Sequence, residues 1–287
     1  MRSIAQKEIR AHFQKTPTGI FWTSDLSNLV GEHRKEWGEP DLSVQQMVKF
    51  LLKEGLLHRA EFKSPRYAPI VRYLRGKLSP YEMALSLRRD SFLCHKTALT
   101  AHGIEPPTTT IYVNKEQGPK PTPEGITQEG ISRAFKNPQR QSKYIFRHGP
   151  SQFVLISGKN SGNAGVVLIK APEGATVKTT DLERTLIDIV VRPAYAGGLE
   201  RVFSVYKEVA SRINVDHMIE LLRMLDYAYP YHQSIGFLLE RAGRPETDCN
   251  RFKEIDMEFD FYLDYGLKRP TYDRNWRLYY PALEGQI

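Results

Sequence analysis

The sequence predicts an α+β protein: a small N-terminal region of helices and one β-hairpin, then a larger domain of mixed strands and helices. Three patterns predict it: apolar residues at helical spacing over 43–54, a basic hairpin directly after them, and short strand candidates that give way to helices in the second half. The 287 residues are enough for two domains with cores. The expected boundaries are 1–78 for the first domain and 79–287 for the second, with an α/β part at 79–175 and a helical, acidic part at 176–287.

Two helices are expected before residue 43. The first spans 3–14 and has three apolar residues on one side: Ile4, Ile9 and Phe13. Residues 19–22 form a connector or a short strand. The second helix runs over about 23–37, with Thr23 or Ser24 as its cap. Its expected inner residues are Leu26, Leu29 and Val30.

The third helix, over 43–54, is the one on which the functional interpretation depends. Its apolar residues recur at three- and four-residue steps and so share one face: Val44, Met47, Val48, Leu51 and Leu52. Ser43, or alternatively Asp41, is expected to cap it, and Gly55 to end it. The opposite face carries Gln45, Gln46, Lys49 and Lys53. Glutamine can pair with adenine, and lysine can reach guanine or phosphate.

A basic β-hairpin follows this helix without a gap, with strands expected over 56–63 and 66–73 and a tip at Ser64-Pro65. This order of elements is that of a winged helix-turn-helix, in which a helix lies in the major groove of DNA and the hairpin contacts the flanking backbone. The alternative is that these charges only keep the surface solvated. The expected DNA-binding residues are Ser43, Gln45, Gln46, Lys49, Lys53, Arg59, Lys63 and Arg66.

The rest of the chain reads as strands followed by helices. Ser79 is expected to cap a helix over 80–89. The remaining early elements are a helix at 94–103, a strand at 108–113, an exposed loop at 114–142, and strands at 143–147, 152–157 and 165–169. The later elements are helices at 181–190, 199–211, 216–225 and 233–242, and a strand at 276–281. Thr180 is the expected cap of the 181–190 helix, in which Arg184 and Asp188 should form an ion pair.

Charge is distributed unevenly along the chain. The net charge is +8 overall: +6 over residues 1–78, +6 over 79–170 and −4 over 171–287. A basic front raises the local concentration of DNA and neutralises phosphates. Double-stranded DNA is therefore the expected partner of the N-terminal half, and the acidic end is not expected to lie on the duplex.

A cytoplasmic location is expected. No apolar run approaches the length of a membrane span, and the N-terminus lacks the continuous apolar core of a secretory signal. Cys94 and Cys249 are far apart in sequence, and neither has a neighbouring ligand residue. We expect free thiols and neither a zinc site nor any other metal or cofactor.

Four parts of the chain, in order, resemble the signatures of the AbiEi family. The first is 94–99 with 102–104 and 111–113; the second is 179–188 with Pro193 and 196–200; the third is 234–240; the fourth is 276–278. The resemblance covers nearly the whole chain. The stretch 21–41 is longer than a compact winged helix requires, so the second helix or its turn departs from the usual form.

The resemblance implies a role as well as a fold. Members of this family are non-enzymatic antitoxins of type IV toxin–antitoxin systems, linked to abortive infection by phage. Their N-terminal winged helix represses the operon's own promoter by binding inverted repeats. Their C-terminal domain counteracts a nucleotidyltransferase toxin, AbiEii, without a stable toxin–antitoxin complex.

The alternative function is a metal-dependent nuclease that the winged helix delivers to DNA. On a strand over 254–264, period-two alternation would place four carboxylates on one face: Glu254, Asp256, Glu258 and Asp260. Clustered carboxylates hold Mg²⁺, and two such ions can hydrolyse a phosphodiester. The same alternation is typical of an amphipathic strand with an acidic solvent face, and we favour that interpretation.

Overall fold

The structure is a computed structural model that describes residues 1–17, 19–119, 125–172 and 174–282. It contains both helices and sheets, so the predicted α+β class is confirmed. The chain divides into two compact units. The first comprises Met1–Arg89, Thr109–Ile111 and Tyr144–Val154, and the second comprises Asp90–Thr108, Tyr112–Lys143 and the chain from Leu155 onward.

The first 89 residues form four helices and three strands. In chain order they are α1 (Ser3–Lys15), β1 (Gly19–Phe21), α2 (Thr23–His33), α3 (Val44–Lys53), β2 (His58–Phe62), β3 (Ile70–Arg75) and α4 (Pro80–Leu85). Strands β1 and β2 both pair antiparallel with β3, which gives the sheet order β1-β3-β2. Helices α1, α2 and α3 contribute to an apolar core that includes Phe13, Leu26, Met47 and Leu51.

Two local predictions for this unit are wrong. Ile4 is 70% exposed, and Ala5 takes its place in the core with Ile9 and Phe13. Neither Thr23 nor Ser24 caps α2; instead the Asp25 carboxylate accepts a hydrogen bond of 2.9 Å from the Trp22 backbone N–H. An acid at the third helical position reaches back in this way to the backbone N–H of the residue before the helix, which is one half of a capping box.

The rest of the chain contributes nine strands and seven helices to the described residues. In chain order the first are β4 (Phe92–Leu93), α5 (His95–Ala101), β5 (Thr110–Glu116), α6 (Gln128–Phe135), β6 (Ile145–His148), β7 (Ser151–Gly158), β8 (Val166–Lys170) and β9 (Thr176–Thr180). They are followed by α7 (Leu182–Val191), α8 (Leu199–Val209), α9 (Val215–Leu225), α10 (Tyr231–Arg241), α11 (Glu246–Lys253), β10 (Phe261–Tyr262), β11 (Pro270–Asp273) and β12 (Leu278–Pro281). Two short 3₁₀ turns flank α8. Pro193–Tyr195 lies between α7 and α8, and Ala210–Arg212 lies between α8 and α9.

Helix α7 lies at the centre of the second unit. Every residue from Glu183 to Val190 is buried, and α7 contacts α5, α8, α9 and α10. In the sheet beside these helices, β4 and β9 are parallel neighbours, and β5 and β8 pair antiparallel on their outer sides. None of the described helices is both long and apolar enough to cross a membrane.

Three predictions for the later chain are wrong. The supposed loop at 114–142 contains α6, whose Ile131 and Phe135 lie one turn apart and are buried in the core. Asp181 caps α7, accepting a 2.7 Å hydrogen bond from the Arg184 N–H, while the Thr180 hydroxyl pairs with that of Thr185. The segment 254–264 is not one strand: α11 occupies the residues before it, and only Phe261–Tyr262 is extended and paired.

Candidate nucleic-acid interface

Helix α3 begins at a reciprocal cap. The Ser43 hydroxyl accepts a hydrogen bond of 3.2 Å from the Gln46 N–H, and the Gln46 side-chain oxygen accepts one of 2.9 Å from the Ser43 N–H. This capping box confirms Ser43 as the cap rather than Asp41. It also commits the Gln46 amide oxygen to the helix end, so that its NH₂ group remains for other contacts. Gly55 adopts a positive φ of 68° just beyond the helix, as predicted.

The two faces of α3 are sharply different. Met47 and Leu51 are fully buried, whereas the predicted polar face is open to solvent: Gln45, Gln46, Lys49 and Lys53 are all exposed. Within the described residues, neither Lys49 nor Lys53 forms an ion pair, so both charges are available to a ligand. The nearest charged pair joins Arg10 of α1 to Glu54 at 2.6 Å, just past the helix end.

Arg59 is not a free cation. Its guanidinium donates a hydrogen bond of 2.6 Å to the Glu61 carboxylate, two residues along the same strand. The same hydrogen bond holds the pKa of the Glu61 carboxyl below its usual value. Because Glu61 partly neutralises it, Arg59 is the weakest of the predicted phosphate contacts.

The β2–β3 connection extends from Lys63 to Pro69, longer than the expected two-residue tip. Lys63 and Arg66 are exposed, and the Arg66 N–H donates to the Ser64 hydroxyl at 3.4 Å. Lys63 also forms an antiparallel bridge with Arg147: the Lys63 N–H donates to the Arg147 carbonyl at 2.9 Å, and the Arg147 N–H donates back at 2.8 Å. The connection is therefore joined to β6, far away in the sequence.

A cation that the sequence interpretation missed lies beside Lys63. Residues directly opposite each other in an antiparallel pair place their side chains on the same face, and like charges there repel. Lys63 and Arg147 are both exposed at such positions. They line an open cleft of about 590 Å³, here called the basic cleft, with Glu61, Ser64, Pro65, His148 and Gly149. Only the tertiary pairing identifies Arg147, because its local sequence has no feature that separates it from other strand arginines.

The connection is packed as well as hydrogen-bonded. The Tyr67 ring stacks on Tyr144 with centroids 4.4 Å apart and planes 12° apart. On the other side, the Phe62 ring contacts His148, whose Nδ1 lies 3.1 Å from the Glu61 carbonyl oxygen. These contacts hold Lys63 and its neighbours in a defined position.

The second unit contains a cluster of side chains of the kind that bind metal ions, and its contacts show that it has a structural role. Asp181, Glu183 and His217 form the single described group of three that could hold a metal ion. The Asp181 carboxylate contacts His217 Nε2 at 2.9 Å, and Glu183 accepts a 2.8 Å hydrogen bond from the Asn214 N–H. The cluster thus joins the N-termini of α7 and α9, whose partial positive charges disfavour a cation there.

The segment 179–188 that carries the family resemblance serves the architecture of the second unit. Arg184 is 3% exposed and contacts the Asp188 carboxylate at 2.9 Å, so the predicted i,i+4 ion pair is confirmed. Its guanidinium also donates to the Ala164 carbonyl at 2.6 Å and lies 3.8 Å from Glu116. Arg184 therefore ties α7 to β5 and to the turn before β8.

The carboxylates proposed for the alternative nuclease do not come together as a group of three potential metal ligands among the described residues. The described groups of potential metal ligands include none of Glu254, Asp256, Glu258 or Asp260. The Asp260 carboxylate instead accepts hydrogen bonds from Arg277 Nε at 2.9 Å and from the Tyr272 hydroxyl at 2.8 Å. Because the strand that would align the acids is absent from the described residues, the geometric basis of that function is lost.

Comparison with known proteins identifies a fold and no family. No protein-family profile matches the sequence, and no curated protein sequence matches it. A crystal structure of the RV2827C protein from Mycobacterium tuberculosis is similar, with a TM-score of 0.54 and 12% sequence identity. The match covers 98% of this chain and 92% of that one. At this identity the likeness concerns the arrangement of the chain alone.

Proposed function

We propose that the protein is a sequence-specific DNA-binding repressor whose N-terminal unit is a winged helix. The element order α1-β1-α2-α3-β2-β3 and the antiparallel order β1-β3-β2 support this assignment. The single observation that carries the proposal is the bare polar face of α3 in the same compact unit as a basic β-hairpin connection.

In the proposed complex, α3 enters the major groove and the β2–β3 connection contacts the backbone. Gln45 and Lys49 read base edges from the exposed face, with the Gln46 NH₂ group as a further donor and Lys53 near the end of the helix. Lys63, Arg66 and Arg147 bind phosphates. Ser43 contributes by capping the N-terminus of α3. Arg59 contributes less than the other cations, because it is ion-paired with Glu61.

A titration with DNA from the gene's own promoter region tests this assignment. Gln45→Ala and Lys49→Ala should each cost about 1–3 kcal/mol at the matched site and much less on random DNA. Lys207→Ala is the control, because it removes an exposed lysine from α8 in the second unit. If all three variants bind promoter DNA with the same affinity as the wild type, the proposed role of α3 is contradicted.

The biological role follows from the AbiEi resemblance. We propose that the chain is the antitoxin of a type IV toxin–antitoxin operon in phage defence, that its operator contains inverted repeats, and that the cytoplasm is its place of action. The functional partner is an AbiEii-like nucleotidyltransferase toxin, with no stable complex between the two. Co-expression with a neighbouring nucleotidyltransferase gene tests this: growth should be restored, whereas continued killing at full antitoxin expression contradicts the role.

A further inference from the structure

Strand β8 is an edge strand of the six-stranded sheet, and its outer side is open. It pairs with β9 on one side, and no other described strand pairs with it. The β8–β9 register runs without a break from Val166 opposite Thr180 to Lys170 opposite Thr176, so no bulge turns this edge away. A regular, open edge presents unpaired backbone N–H and C=O groups on which another strand can pair.

The composition of β8 also favours association. Its sequence is Val-Val-Leu-Ile-Lys, so only the last residue is charged and none is proline, although charges and prolines are what usually protect an open edge. Leu168 is 71% exposed and Val167 is 36% exposed. Val167 lies on the face of the sheet where Val177 and Thr179 of β9 are fully buried. Apolar side chains are therefore open to solvent on both faces of this edge.

The order of residues makes β8 complementary to a second copy of itself. Antiparallel pairing about a twofold axis at Leu168 brings all five residues of each copy into the ladder. Leu168 then faces its own copy, Val167 faces the second copy's Ile169, and Val166 faces the second copy's Lys170. Such cross-strand pairs of apolar and β-branched side chains stabilise a sheet.

Charge favours the same arrangement. Lys170 faces a valine in this register, whereas parallel pairing would set the two Lys170 side chains beside each other, where like charges repel. Lys178 of β9 lies opposite Leu168, but three strand spacings, about 14 Å, would separate it from its copy, which is beyond the screening length at physiological salt. Each β8 has one open side, so this pairing closes at two chains.

We propose that the chain forms a homodimer in which β8 of one copy pairs antiparallel with β8 of the other, centred on Leu168. The contact continues the sheet of one copy into that of the other and covers the exposed Val167 and Leu168 side chains. Because the ladder has only five residues from each copy, the dimer is of moderate strength, with a Kd of about 1–100 µM. This inference is independent of the proposed DNA binding, and its test contains no DNA.

Sedimentation equilibrium of the full chain at about 1–200 µM tests the proposal, because this range brackets the expected Kd. The average mass should rise from that of one chain towards that of two. Leu168→Lys and Leu168→Glu each place like charges opposite each other at the axis, so each should weaken the dimer at least about tenfold. An equimolar mixture of these two variants sets lysine opposite glutamate and should dimerise more strongly than either variant alone. Ile4→Lys is the matched control, because it adds a lysine at an apolar position of α1 that is 70% exposed, and it should behave like the wild type.

Five results would overturn the assignment. These are a wild type that stays monomeric over the whole range, species larger than a dimer, dimers of wild-type strength in both Leu168 variants, a mixture that dimerises no better than its components, or loss of the dimer in Ile4→Lys. Thermal melting shows whether each variant is folded. If a Leu168 variant unfolds, hydrogen exchange of the wild type decides: the β8 amides should exchange more slowly at high protein concentration than at low, and equal rates at both concentrations contradict the pairing.

Discussion

Lys63 and Arg147 are cross-strand partners, joined by two backbone hydrogen bonds of 2.9 and 2.8 Å. Two cations placed opposite each other repel, and the Glu61 carboxylate, which lines the same cleft, offsets only part of that repulsion because it is already paired with Arg59. A DNA phosphate in the basic cleft would remove that repulsion. The pairing thus connects the fold of the N-terminal unit to its proposed ligand.

Removing either cation should weaken DNA binding without regard to sequence. Lys63→Ala and Arg147→Ala should each reduce the slope of log affinity against log salt concentration by about one, because each loses about one phosphate contact. Fluorescence anisotropy at several salt concentrations measures this. An unaltered slope in Arg147→Ala would show that DNA does not reach the cleft. Neither change should lower stability by more than about 0.5 kcal/mol, since both side chains are exposed.

Loss of Arg184 should strongly destabilise the second unit. Arg184→Met leaves the Asp188 carboxylate, 6% exposed, without its ion-pair partner. Breaking a buried pair in this way costs about 3–5 kcal/mol. Arg10→Ala, which breaks a surface pair with Glu54, is the control and should cost about 0–1 kcal/mol. Urea unfolding followed by circular dichroism compares them, and similar losses in both variants would contradict the structural role of Arg184.

Stability should depend on pH through His217. The hydrogen bond to Asp181 raises the pKa of the His217 ring above its usual 6.5. A raised folded-state pKa contributes stability below pH 6.5, and that contribution is lost as the pH rises through the folded-state value. The free energy of unfolding of the wild type, relative to His217→Gln, should therefore fall from pH 6 towards pH 8. A difference between the two proteins that is constant over this range would exclude the linkage.

A methyl group at Gly236 should disrupt the second core. A Cβ there would overlap the ring of Trp276, which is fully buried, and lie 3.1 Å from the Phe252 Cβ. Overpacking of this kind costs about 1–3 kcal/mol or more. Gly31→Ala is the matched control, since nothing lies within 4 Å of its Cβ position in α2, and it should stabilise by about 0.5–1 kcal/mol. Thermal denaturation distinguishes them, and equal melting temperatures would mean that the α10–Trp276 packing is looser than described.

Sequence reasoning succeeded where local patterns determine the structure. The amphipathic spacing of α3, its Ser43 cap and the Gly55 stop all depend on neighbours within a few residues, and all are confirmed. The Arg184–Asp188 pair is also local, because its members lie one helical turn apart. The exposure of the Gln45 and Lys49 side chains follows directly from the same periodicity.

Sequence reasoning failed where contacts between residues that are distant in the sequence determine the structure. Helix α6 has only Ile131 and Phe135 as deeply buried anchors in a polar stretch, so its burial comes from the core that it meets. The acids of 254–264 alternate as a strand would, yet no neighbouring strand pairs with 254–260 in the described structure. Arg147 becomes part of the proposed interface only through its bridge to Lys63, and no local rule predicts such a long-range partner.

The attachment of the β2–β3 connection to residues 144–148 has a consequence for the order in which the protein is made. The ribosome completes α3 and its hairpin long before Tyr144 and Arg147 are synthesised. The nascent N-terminal region therefore lacks the contacts that hold the β2–β3 connection until residues 144–148 have been added. A fragment that stops at residue 78 or 89 would lack that support permanently. Weak DNA binding by such a fragment would then reflect an unfinished hairpin connection rather than the loss of a separate domain.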